Sequence, residues 1–218
     1  MDEQQPHTAI PLPTKPFLLL LLALAVLAGA SVYLTAWCWP RYGEQACGRI
    51  VLPVDFLMTL VILTLVAMVF DQPWGKLVLY SIVISAAVVL GSLFARMIYT
   101  ASALPIQSMP DLMRYLATVL MRLLYLALIQ TFVPAAILRL LLRREAQRIT
   151  LKNAALYGVI LGVLYAAFTT AVFGLAAIIQ PGSVAPGSIF NWNNLLSALT
   201  MGLAAFLGVL LGKRLRAK

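Results

Sequence analysis

The chain has 218 residues, of which 62% are hydrophobic and only 11% charged, and its formal net charge is +9. Soluble domains run at roughly 45–50% apolar and about 25% charged, so too few charges remain here to coat a soluble surface. No low-complexity tract, glycine period or charged heptad is present, which excludes disorder, collagen and coiled coil. The composition leaves an all-α, polytopic membrane protein.

Six apolar stretches follow one another, at 17–37, 51–70, 74–98, 112–138, 154–179 and 194–211. A hydrocarbon core of about 30 Å needs roughly 20 helical residues, and each stretch meets that within the usual range. None alternates with period two, so a β-barrel is not expected. Backbone groups in lipid must bond within their own segment, which makes these stretches helices. Pro16 opens the first span, and Pro40 and Gly43 follow it. Asp71, Gln72 and Pro73 read as a tight turn between spans two and three. Pro105 and Pro110 bracket the next loop, with Asp111 as a helix-start signal. Pro181, Gly182, Pro186 and Gly187 mark the loop before span six. The reading is a polar leader over 1–16, one six-helix domain over 17–212 and a basic tail over 213–218.

Six spans put both termini on one side of the membrane. That side holds Lys15, Lys76, Arg139, Arg143, Arg144, Arg148, Lys152, Lys213, Arg214, Arg216 and Lys218, whereas the other holds Arg41, Arg49, Arg96 and Arg114. Basic residues in short loops favour the cytoplasm, so both termini are expected there, in a plasma (inner) membrane. The same distribution explains the positive charge without nucleic acid, since the basic residues lie beside span ends. The run Leu18–Leu27 followed by Ala28-Gly29-Ala30 also resembles a signal peptide with a small-residue cleavage site. Apolar character continues to Trp37, and the leader carries Asp2 and Glu3, so an uncleaved first span is the expectation.

Cys38 and Cys47 share the first external segment, where an oxidising compartment permits a disulfide. The close C-x-x-C spacing of thiol oxidoreductases is absent, so the pair reads as a structural staple. The single histidine, His7, lies in the leader. That removes bis-histidine haem, zinc clusters and histidine triads, and leaves no cofactor or metal expected. Catalysis would have to rest on carboxylates, tyrosines or asparagines, with Glu44, Asp55 and Asp111 the acids on or near the outer side, and an enzyme is the less expected reading.

Arg122 lies about ten residues into the fourth stretch, roughly 15 Å deep by its count. A charge at the middle of a bilayer costs at least about 2.5–3.5 kcal/mol, so it should face protein or water. Asp111, Tyr115, Thr118, Arg122 and Tyr125 step along one helical face, with Gln130 beside it. Asp55 in span two is the expected buried partner of Arg122, and Arg96 competes for it. Either the pair locks helices together, or Arg122 and Arg96 bind an anionic group through the guanidinium fork. Asn191 and Asn194 at the mouth of span six, followed by Ser197 and Thr200, can bond a solute or cap the helix while Trp192 anchors it.

Small residues mark packing seams at Ala25/Gly29, at Gly158/Gly162/Ala166 and at Gly202, Gly208 and Gly212. The first could instead dock another membrane subunit. The basic link 139–152 carries Leu138, Leu141, Leu142, Ala146 and Ile149 at helical spacing. It reads as an amphipathic extension lying on anionic lipid, with a partner subunit as the alternative. In span count, size, cytoplasmic termini and the span-one seam, the chain resembles the small six-helix substrate-binding subunits of bacterial vitamin uptake systems. The resemblance implies a solute-binding transport subunit. The expected function is therefore a transport protein or transport subunit for a small solute, anionic if Arg122 binds it. The substrate-binding set is Arg122, Asp55, Arg96, Tyr115, Tyr125, Asn191 and Asn194. A non-catalytic accessory protein and an enzyme acting on a lipid-linked substrate are the alternatives.

Overall fold

The computed structural model describes residues 13–100, 108–142, 149–179 and 192–216. All the regular elements among them are helices, and six are long and apolar enough to cross a membrane. They are α1 (Thr14–Gly43), α2 (Ala46–Val69), α3 (Trp74–Thr100), α4 (Met109–Leu142), α5 (Leu151–Ile179) and α6 (Trp192–Arg216).

Local chemistry sets the boundaries. The segment around Cys38 and Cys47 is not the open loop expected from the sequence. Helical backbone runs from Thr14 to Val69 and is broken only at Gly43, whose φ of 74° and ψ of 173° turn the chain. Glycine occupies that left-handed region at little cost because it has no Cβ. Cys38 and Cys47 therefore face each other across a hairpin of two helix ends, at disulfide distance with Cα atoms 5.3 Å apart. Both are buried with Val51 against Leu34 and Trp37. The Asp71–Pro73 turn forms as expected, closed by the Gln72 amide donating to the Val69 carbonyl at 3.0 Å. Ser108 caps α4, accepting from the Asp111 amide and donating to the Asp111 carboxylate. Thr150 caps α5 by accepting from the Asn153 amide at 3.2 Å, which starts that helix three residues ahead of the apolar run.

The core is densest at the end of α2, where every residue from Ile62 to Phe70 is buried. Side chains of α1, α3, α4, α5 and α6 complete this cluster, including Leu24, Leu77, Ile84, Leu138, Tyr157 and Val209. The small-residue seams are filled from within the chain. Ala25 and Gly29 of α1 meet Gly91 and Ala95 of α3 so closely that a Cβ on Gly91 would overlap the Ala25 carbonyl. Gly158 and Gly162 of α5 lie against Gly202 and Ala198 of α6 in the same way. The span-one seam is thus an α1–α3 contact within the chain.

The ends that carry the chain termini are tied together by basic residues. Arg216 pairs with Asp71 and lies over the Phe70 ring. Lys213 donates to the Ile149 carbonyl at 2.7 Å. Arg139 donates to the Gln72 carbonyl at 2.7 Å and stacks over Trp74. Leu138, Leu142 and Ile149 are buried in the core. The apolar face expected to lie on lipid is therefore covered by protein at these three positions. The rest of that link, 143–148, lies outside the described residues.

Candidate functional site

Four helices part from one another in the half of the bundle nearer Gly43 and line a partly open cavity of about 450 Å³. That volume lies in the range of small-molecule sites, about 300–1,000 Å³. From α2 come Asp55, Phe56 and Thr59, and from α4 come Tyr125, Ile129 and Gln130. Tyr165 and Phe168 of α5 and Ser197, Thr200 and Met201 of α6 complete the main wall. The lining is largely apolar with a few polar groups converging, as solute pockets are built.

The polar groups come from one level of the bundle. At 1.5 Å per residue, Asp55, Gln130, Tyr165 and Thr200 lie about 18–24 Å from the ends of their helices that face the termini. The Asp55 carboxylate accepts a hydrogen bond from the Ser31 hydroxyl of α1 at 2.7 Å. Thr59 donates to the Asp55 main-chain carbonyl at 2.8 Å, and Thr200 donates to that of Ser197 at 2.8 Å. Both hydroxyl protons are thereby used within their own helices. Tyr165 stands near enough to Asp55 and Tyr125 to interact with them electrostatically. Tyr125 and Phe168 bring their rings to 6.3 Å between centroids.

A local change of helix type positions the α4 wall. Residues Leu126–Phe132 form a π-helical segment, closed by the Val133 amide donating to the Leu128 carbonyl. Pro134 follows and has no N–H to return to the carbonyl of Gln130. Thr131 binds back to Ala127 at 2.7 Å, and Tyr157 of α5 donates to the Pro134 carbonyl at 3.0 Å. The widened turn carries Ile129 and Gln130 to the cavity wall. Such π segments are frequent at functional sites.

Of the residues singled out in the sequence, Asp55 and Tyr125 line this cavity and Arg122, Arg96 and Tyr115 do not. No residue of Met109–Tyr125 is buried, although Val119 and Leu123 pack against the core from partly exposed positions. Counted from Leu142, Arg122 lies about 30 Å along the helix. Arg96 lies about 33 Å along α3 from Trp74 by the same rise. The two exposed arginines stand close enough for their charges to repel. Both lie outside the cavity lining. No ion pair joins Asp55 to Arg122 among the described residues. Asn191 lies outside them, as does the side chain of Asn194.

Thr59 and Tyr165 had no distinguishing signal in the sequence. The only hint for Thr59 is its position one turn after Asp55 on the same face. No protein-family model, curated protein or solved structure matches the chain.

The partner of Asp55 is testable by stability. Ser31→Ala removes the one donor seen on a half-buried carboxylate and should destabilise the protein by about 1–3 kcal/mol. Arg122→Leu should leave the melting temperature in detergent nearly unchanged. The opposite ranking would restore Arg122 as the partner.

Proposed function

We propose that this protein is a membrane transport protein, or the solute-binding subunit of one, and that its site is the cavity between α2, α4, α5 and α6. The observation that carries the reading is an acidic, hydrogen-bonding cavity within the membrane-spanning part of the bundle. Polar groups at that depth are expensive and are retained where they serve a solute pathway. Seven lining residues with polar groups, Asp55, Thr59, Tyr125, Gln130, Tyr165, Ser197 and Thr200, come from all four helices. Locking two helices together would need only one such pair. The outline shared with the substrate-binding subunits of vitamin uptake systems supports the same reading.

The site is moved from Arg122 to Asp55. Thr200→Phe would fill the cavity from α6 without touching the buried end of α2. Native mass spectrometry of protein purified from its own membrane should find a small molecule on the wild type. It should find none on a Thr200→Phe protein of unchanged melting temperature. Equal occupancy of the two, or an empty wild type, would contradict a solute site here.

The basic bias supports cytoplasmic termini in a plasma membrane. The two cysteines bond each other, so a single introduced cysteine reports cleanly. Cysteine at Lys76, in the exposed start of α3, should react with an impermeant thiol reagent only from the cytoplasmic side. Labelling from outside would invert the topology.

A further inference from the structure

The cavity has a chemical polarity that its size alone does not reveal. It contains a carboxylate, at Asp55, and no lysine, arginine or histidine among its lining residues. Its two threonine hydroxyls donate hydrogen bonds to backbone carbonyls of their own helices. Each hydroxyl oxygen therefore turns acceptor lone pairs outward. Three acceptors, from Asp55, Thr59 and Thr200, thus line the same space as the hydroxyls of Tyr125, Tyr165 and Ser197, which can donate or accept. Phe56, Tyr125, Tyr165 and Phe168 supply aromatic surface around them, and the negative face of an aromatic ring attracts a cation.

A carboxylate half withdrawn from water gains from a positive charge or from donors that meet it. Ser31 supplies one donor. Arg122 and Arg96, which the sequence suggested as counter-charge, stand outside the lining. A complementary occupant would bring the missing positive charge itself.

We propose that the solute is an organic cation, an ammonium group carried on an apolar body, with Asp55 as its counter-charge. The ammonium group lies at the Asp55, Thr59 and Thr200 end, and the apolar body packs on Phe56, Tyr125, Tyr165, Phe168 and Met201. Gln130, donor and acceptor at once, accommodates a further polar group. The inference rests on the cavity being a solute site and reverses the sign of the ligand charge that Arg122 suggested.

Three probes of similar size separate the alternatives by calorimetry on the purified full-length chain. They are benzyltrimethylammonium, benzyl alcohol and benzoate, the first carrying a charge that pH does not change. The wild type should bind the cation about tenfold or more tightly than the alcohol, and benzoate least. Asp55→Asn keeps an oxygen to accept from Ser31 and should fold. It should lose about tenfold or more in affinity for the cation, a change of about 1.4 kcal/mol or more, while affinity for the alcohol stays within about twofold. Thr200→Phe should weaken whichever probe occupies the cavity. Tighter binding of benzoate or benzyl alcohol, lost in Thr200→Phe, would overturn the cation and leave the solute site standing. So would cation binding unchanged in Asp55→Asn. Binding of none of the three probes, or binding indifferent to Thr200→Phe, would overturn both.

Discussion

The arrangement depends on the close approach of α2 and α6. Gly208 and Gly212 place the backbone of α6 directly against Leu63, Thr64 and Ala67. A Cβ at 208 would stand 3.0 Å from the Leu63 carbonyl carbon, and one at 212 would stand 2.6 Å from the Ala67 Cβ. In lipid there is little hydrophobic drive between helices, so dispersion across such close contacts must hold them together. The contact seals the half of the bundle nearer the termini, where α2 is buried on every side. Towards Gly43 the facing residues change from glycine and alanine to Ser197, Thr200 and Met201 on α6, and to Asp55 and Thr59 on α2. Side chains of this size and polarity do not close over one another, and the cavity occupies the space between them.

Charge is distributed to match. At the sealed end Arg216 meets Asp71, and Lys213 and Arg139 meet backbone carbonyls. Cations near the C-termini of helices find carbonyls without partners. The residues that give the chain its topological bias therefore also clamp α6, α4 and the α2–α3 turn. At the opposite end the hairpin of α1 and α2 is clamped by Cys38 and Cys47. Between these two fastened ends stands Asp55, held by Ser31, in a space whose other polar groups are hydroxyls and one amide.

Much of the frame is legible in the residues. Hydropathy marks every span, because a backbone in lipid has no alternative to the helix. The Asp71–Pro73 turn and the internal role of the glycine seams also follow from local chemistry. Boundaries are less legible. Thr150 extends α5 through a cap that hydropathy does not register, and Gly43 replaces an apparent loop with a sharp hairpin. The site divides in the same way. Asp55 and Tyr125 are visible as polar groups in apolar helices. Thr59 and Tyr165 become meaningful only when the rotations of α2 and α5 aim them at one space. Arg122 is equally visible as a charge in an apolar helix, but hydropathy does not show which way α4 turns it, and the cavity lining on α4 begins at Tyr125.

Thiol reactivity of single cysteines, in protein solubilised without unfolding, tests the division into a sealed half and a hollow half most directly. A small neutral thiol reagent should modify cysteine at Thr59 and at Ser197 rapidly. It should leave cysteine at Ala67 and at Ala204, both completely buried, unmodified until the protein is denatured. Equal protection at all four positions, or equal reactivity, would contradict the account.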